Sequence, residues 1–292
     1  MVWHRRNIHG QSAIEYLATY GWVLLILAIA LGVLYFLGVF NSNAYVAKAS
    51  PYSCTVSRPY GPNSTAYMTL SGVCDNEIPE YVAKFNGQSS YIMIPTSPEF
   101  STPTGTIAFW MYPTNDPTYS QDPVRQSAGD WWIEDYNINQ GITLWTSRTG
   151  GGNNGYGSVP YSLDNWYFVT GTFSTTNQTL YINGEEYYSA ESNSVSQAVG
   201  NILIGWGEGT SPSNPGFYFD GYITNVQFYN STLTPDSVNA LYREGIGGAP
   251  INLPNLVGWW QLNSNSNDTS GDLNNGASTN VIFTNTWYST YS

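Results

Sequence analysis

The chain has 292 residues and a formal net charge of −12, with charged side chains at 10% and aromatics at 16%. An ordinary soluble domain is about 25% charged, so this scarcity argues against a cytosolic enzyme, while 11 Trp, 24 Tyr and 11 Phe supply too much core-forming surface for a disordered chain. Eight scattered Lys and Arg argue against nucleic acid as a partner, because phosphate neutralisation needs clustered cations.

The first predicted element is a helix. Gly21 to Phe40 carries no charge and no strongly polar side chain, and a helix of that length spans roughly 30 Å, the hydrocarbon thickness of a bilayer. Arg5 and Arg6 precede the run and the next cation is Lys48. The positive-inside rule then places the N-terminus in the cytoplasm and the bulk of the chain outside. A secretory signal has a shorter apolar core, about 7–15 residues, and a small-residue cleavage site; here Asn41-Ser42-Asn43 follows instead.

Ahead of the apolar run stand Arg5-Arg6-Asn7-Ile8-His9-Gly10 and then Gln11-Ser12-Ala13-Ile14-Glu15-Tyr16-Leu17. Over about residues 5–45 this resembles the class III signal peptide of archaeal type IV pilin-like precursors. The resemblance implies a leader over residues 1–10, cut between Gly10 and Gln11 by a membrane prepilin peptidase. A hydrophobic helix over 11–45 is then retained in membrane lipid and packs with identical or related pilin subunits. Cleavage would create an α-ammonium with a pKa of about 8. Glu15, unfavourable beside an apolar stretch unless it finds a partner or the interface, is the assembly residue able to meet a neighbour's amine. The plainer alternative is an anchor helix with Glu15 at the membrane boundary. The only histidines, His4 and His9, fall within the leader, so its removal excludes Ser-His, Cys-His and histidine-ligated zinc chemistry.

Residues 46–80 read as a connector with short strands, rich in Ser, Pro, Tyr and Gly, and contain Cys54 and Cys74, the two cysteines of the chain. In an exported protein such a pair is most simply a disulfide closing a loop of about 20 residues, stabilising by about 3 kcal/mol in the chain-entropy picture. The alternative, a reactive thiol, lacks a histidine to activate it.

From 81 to 292 the pattern is all-β. Strand-like runs are Tyr81–Phe85, Ser90–Ile94, Thr106–Tyr112, Trp166–Phe173 and Thr179–Ile182, and Asn183-Gly184 before Glu185–Tyr188 is a strong hairpin signal. One short helix is expected after Thr234 as cap and Pro235 at the first helical position, stopping at Gly245. These segments, together with Ala83-Lys84-Phe85-Asn86-Gly87, Phe219-Asp220-Gly221 and Val226–Asn230, resemble LamG-like, concanavalin A-type lectin/glucanase domains. The resemblance implies a jelly-roll β-sandwich. Leu256–Leu262 with Asp268–Gly276 looks like the stretch that usually opens such a domain, yet it closes this one. A circular permutation is therefore expected, with the C-terminal strand paired inside the sandwich.

Four kinds of candidate site follow. The loop from Asn263 to Gly276 offers Asp268, Ser270, Asp272 and Asn274 as oxygen ligands, and the resemblance implies a structural calcium (Ca2+) there with Asp220 as a further ligand; the alternative is a solvated turn. Asn63, Asn177, Asn230 and Asn267 each begin an Asn-x-Ser/Thr glycosylation sequon. Trp131, Trp132, Tyr136, Trp145 and Tyr156 lie in what reads as an irregular, Gly-rich insertion over 115–160. They either stack on sugar faces or partners, or cover the core. Paired carboxylates for a glycanase are missing, because Glu134-Asp135 and Glu185-Glu186 are adjacent and would point to opposite faces of a strand. The sequence thus reads as a non-enzymatic pilin-like adhesin of the cell membrane and surface filaments, with an extracellular domain for a glycan or surface ligand. A membrane-anchored lectin that never assembles is the second reading, and an extracellular glycanase a remote third.

Overall fold

A computed structural model describes residues 13–36, 54–57, 69–72 and 78–290, except 119, 129, 148–152, 192–198 and 212–213. The chain divides into two units, Met1–Ala47 and Lys48–Ser292.

Among the described residues of the first unit, helix α1 covers Ala13–Phe36. Its sequence has no proline and is apolar on every side rather than along one stripe, and its described side chains, Tyr20 to Leu34, are exposed. That stretch rises about 22 Å. Among the described residues no helix is long and apolar enough to cross a membrane; the expected span, Gly21–Phe40, runs past them. Gly10 and Gln11 lie outside the described residues, and Glu15 sits on α1 with its side chain outside them.

The second unit is built from strands. In chain order these are β1 (Cys54–Ser57), β2 (Thr69–Gly72), β3 (Val82–Asn86), β4 (Tyr91–Ile94), β5 (Gly105–Pro113), β6 (Gln121–Gln126), β7 (Trp131–Asp135), β8 (Ile142–Ser147), β9 (Asn153–Val159) and β10 (Tyr167–Phe173). There follow β11 (Asn177–Ile182), β12 (Glu185–Glu191), β13 (Ile202–Ile204), β14 (Trp206–Ser211), β15 (Asn214–Tyr218), β16 (Asp220–Tyr229), helix α2 (Pro235–Arg243), β17 (Leu256–Trp260), β18 (Ala277–Thr279) and β19 (Ile282–Thr284). One sheet has the order β12-β11-β10-β5-β16-β3-β19, with β17 also on β16; the second has the order β18-β4-β13-β6-β7-β8-β9. All strand pairs are antiparallel, and the core lies between the two sheets.

Burial explains why the strands read differently. The middle of the first sheet is covered on both faces, while its edge strand β12 is exposed. Ile107, Phe109 and Met111 of β5 face the inter-sheet core, while Ala108 and Trp110 face a second cluster with Val238 and Leu241 of α2. Such a strand is an apolar run rather than an alternation. Tyr242 of α2 stacks on Trp110 with ring centroids 5.8 Å apart. α2 begins where the sequence signals it, the Thr234 hydroxyl accepting from Ser237 N–H, and Gly245 follows at φ +82°. The Asn183-Gly184 turn also forms, with Ile182 opposite Glu185 and both turn residues at positive φ.

The C-terminal segment pairs inside the sandwich. β17 and β3 line up end to end along the same edge of β16, separated by a bulge at Asn225 (φ +51°). β18 joins the second sheet on β4 and β19 the first on β3. Residues 115–160, expected as an irregular insertion, instead supply β6 to β9 of the second sheet. Their glycines serve packing: a Cβ at Gly155 would come within 2.4 Å of the Trp145 ring. In the connector, β1 and β2 form a two-stranded ladder. Cys54 is buried and disulfide-bonded, and Cys74 lies outside the described residues.

Candidate functional site

Strand alternation sorts the aromatics of β7 and β8. Trp131 is 1% exposed and faces inward, stacked between Phe228 (5.4 Å) and Phe173 (6.0 Å). It is a core residue, which removes it from the sugar-stacking candidates. Trp132, one residue on, points to the outer face. There the register places Met93, Leu203, Arg125, Trp132, Trp145 and Gly155 in one row across six strands. Trp132 and Trp145 stack at 5.5 Å with planes 3° apart, and the Arg125 guanidinium lies over the Trp132 ring at 5.6 Å. The far side of Trp145 rests on the Gly155 backbone. Parallel rings on adjacent strands face each other along the sheet, so their edges point outward. Each indole thus has both faces occupied, by guanidinium and indole for Trp132 and by indole and glycine for Trp145. Neither offers a face to a sugar, which corrects the stacking role expected for them.

Tyr136 is half-buried, and burial with the nearby Glu134 charge pushes its hydroxyl up to about 12. Tyr156 sits on β9 with its side chain outside the described residues. Glu134 and Asp135 do occupy opposite faces of β7. Asp135 is fully buried, accepts from Gln121 Nε2 (2.8 Å) and Tyr161 Oη (3.0 Å), and burial pushes its carboxyl up to about 6. On the outer face Asp122 pairs with Arg125 at 2.8 Å, yet burial pushes it up to about 7 against that cation.

The Asn263–Gly276 loop was expected to hold calcium, and its donor set does not fit. Asp268, 7% exposed, accepts at Oδ1 from Trp259 N–H (2.9 Å) and Ser270 N–H (2.8 Å), and at Oδ2 from the Ser270 hydroxyl (2.9 Å) and Asn274 N–H (2.9 Å). Those four donors fill the roughly four acceptor positions of a carboxylate. Asn274 turns its amide to Val257 O, and Ser270 Oγ also accepts from Asp272 N–H. The loop is a hydrogen-bonded clasp around Asp268. Asp220, the proposed fifth ligand, belongs to another cluster, opposite Asn86 in the β3–β16 register. Among the described residues no three His, Cys, Asp or Glu side chains converge to hold a metal ion.

That other cluster forms a cavity of about 280 Å3, near the small end of ligand sites. Three segments make it: the end of β3 and the turn after it (Asn86, Gln88), the stretch before and into β6 (Asn115, Thr118, Ser120, Gln121), and β15 with the start of β16 (Phe217, Tyr218, Asp220). Each is pinned. Asn86 Oδ1 accepts from the N–H groups of Gln88, Ser89 and Ser90, and Gly87, at φ +67°, passes so near Asp220 that a Cβ would meet Asp220 Cβ at 2.9 Å. Asp220 O accepts from Thr114 N–H (3.1 Å), Asp220 Oδ1 from the Thr114 hydroxyl (3.2 Å), and Asp220 N–H donates to Gln121 Oε1 (2.9 Å). Because Gln121 also donates to Asp135, both ends of its amide are fixed. The result is a rigid, hydroxyl- and amide-lined hollow with aromatic side chains at one wall.

Of the sequons, Asn177, Asn230 and Asn267 are exposed; Asn63 lies outside the described residues. Asn177 and Asn230 share one end of the first sheet, where Thr232 Oγ1 donates to Phe173 O. The cavity lies at the other end of β16, roughly 30 Å away at about 3.3 Å per residue.

Comparison with curated proteins finds no match. Among solved structures, a candidate carbohydrate-binding protein from Bacteroides ovatus superposes with a TM-score of 0.53 at 14% identity, over 74% of this chain; this chain spans 63% of that protein. The heptameric SAP-like pentraxin from Limulus polyphemus gives 0.50 at 13% identity, over 70% of this chain and 94% of the pentraxin. Likeness at such identities concerns the fold, a two-sheet antiparallel sandwich. The family model of the concanavalin A-like lectin/glucanases superfamily (Laminin_G_3) matches residues 86–239. That is more than half of the chain, running from the turn after β3 to within α2, and on it the chain belongs to the concanavalin A-like lectin/glucanases superfamily.

Proposed function

We propose that this protein is a cell-surface adhesin whose sandwich binds carbohydrate and whose N-terminal helix anchors it and, after leader cleavage, assembles it with like subunits. The observation that carries the binding half is the pinned polar cavity around Asp220, whose amides and hydroxyls suit a hydroxyl-rich ligand and whose fixed geometry lowers the ordering cost of binding. The family, and the carbohydrate-binding assignment of the Bacteroides ovatus neighbour, support the same reading. The test is titration of the detergent-solubilised full chain against a panel of oligosaccharides, with Asn115→Ala/Thr118→Ala as the variant. Losing two exposed hydrogen-bonding side chains should weaken binding about tenfold or more at unchanged Tm. An unchanged affinity would place the ligand elsewhere.

The display half rests on Arg5-Arg6, Gly10-Gln11 and Glu15 ahead of the apolar run Gly21–Phe40. Glu15→Ala leaves insertion and sandwich folding intact but deprives a neighbour's terminal ammonium of its anion. Breaking such a buried pair costs about 3–5 kcal/mol, so sheared filament protein should collapse relative to membrane-retained protein. Abundant filaments in the mutant would defeat this role for Glu15; a wild type without filaments would favour the non-assembling anchored lectin.

A further inference from the structure

We infer that the Asp220 cavity selects uncharged sugars and excludes acidic ones, with Asp220 as the specificity-determining residue. This rests on the carbohydrate-binding reading and narrows it. Among the described residues lining the cavity, Asp220 carries the one charge; with the amides of Asn86 and Gln121 engaged inside the protein, the other polar side chains are the amides of Gln88 and Asn115 and the hydroxyls of Thr118, Ser120 and Tyr218. Amides and hydroxyls both donate and accept, which matches neutral hydroxyl and acetamido groups, while none supplies the cation that a uronate or sialate carboxylate requires.

The surroundings strengthen the same sign. Asp116 lies in the lining loop, its Oδ1 accepting Ile138 N–H, and Glu134 hydrogen-bonds Ser120 behind the wall. None of the three described cations lines the cavity: Arg125 is paired with Asp122 and stacked on Trp132, Lys84 lies over Tyr222 at 5.8 Å, and Arg243 is on α2, which supplies no lining residue. The chain as a whole is at −12. Nor can Asp220 swing aside to relieve repulsion, because its main chain is clamped by Thr114 and Gln121, its Oδ1 accepts the Thr114 hydroxyl, and Gly87 packs on its Cβ. An incoming carboxylate would meet a like charge held at short range, where Coulomb repulsion is strongest.

The experiment uses the full chain in neutral detergent and matched probes that differ only in charge: lactose against 3′-sialyllactose, and cellobiose against its uronic acid counterpart. The neutral member should bind at least tenfold tighter at 20 mM salt. The gap should shrink at 500 mM, where the Debye length falls to a few ångströms. Asp220→Asn is isosteric and keeps an oxygen for the Thr114 hydroxyl. It should bring the two members within about threefold, at an unchanged Tm. Equal or tighter binding of the acidic member by wild type overturns the inference while leaving carbohydrate binding intact. So does acidic binding that appears with calcium and vanishes with a chelator. A charge preference unmoved by Asp220→Asn removes Asp220 from the role. Failure of every probe, neutral and acidic alike, sinks the carbohydrate reading and this inference with it.

Discussion

Trp131→Ala should destabilise the sandwich by about 3–5 kcal/mol, the range for large aromatic deletions in a core that cannot collapse. The ring is 1% exposed and wedged between Phe228 and Phe173, so its removal opens a cavity between two sheets held apart by their other side chains. For a unit of this size each kcal/mol lowers Tm by about 2–4 °C, giving a fall of at least 6 °C in thermal unfolding followed by circular dichroism. The neighbouring Trp132→Ala should cost far less. It loses a half-exposed cation–π contact, about 0.5–1 kcal/mol, and an indole pair of about 0.5–1.5 kcal/mol, and the edge of the gap is open to water. If Trp132→Ala proves as damaging as Trp131→Ala, the inward and outward assignment of these residues is wrong.

Asp268→Ala should cost a comparable amount by a different route. The carboxylate satisfies three main-chain N–H groups and one hydroxyl around β17. A buried donor left without a partner costs about 1–3 kcal/mol, so losing the acceptor for Trp259, Ser270 and Asn274 together should cost about 3–5 kcal/mol. Asp268→Asn, which keeps one oxygen but turns an NH2 toward the donors, should fall between mutant and wild type. Calcium separates this account from a metal site. A saturating ion at 100 times its dissociation constant would add about 2.7 kcal/mol, whereas the clasp predicts the same Tm in calcium and in chelator. A calcium-dependent rise that Asp268→Ala abolishes would restore the metal.

Much of the sandwich was legible because local signals and tertiary structure agree. β5 and β10 read as strands from their β-branched and aromatic runs, Asn183-Gly184 forced the hairpin, and Thr234-Pro235 began α2. The stretch 115–160 was not legible, because its glycines look like loop residues until the partner that needs them is known, as Gly155 is needed by Trp145. Register was the missing quantity for the aromatics as well. Adjacent Trp131 and Trp132 are alike in sequence, and only pairing says which faces the core and that the other is already stacked on both sides. Asp268 reads in the sequence as a calcium ligand because a sequence shows a carboxylate's lone pairs and not the N–H groups that meet them in the fold. The Asp220 cavity escaped notice because residues 86–88, 115–121 and 216–220 come together only through the β3–β16 and β5–β16 ladders.

The contribution of residues 256–284 to both sheets has a temporal consequence. A ribosome delivers β3 to β16 first, and until the last three strands emerge β16 lacks its β17 neighbour while β3 and β4 each keep one bare edge. Pairings this distant in sequence close slowly and only after their loops have been traversed. These sheet edges therefore stay open until residues 256–284 dock on them. A product clipped before Leu256 would carry unfinished sheet edges on both layers, rows of N–H and C=O groups that invite pairing with another chain.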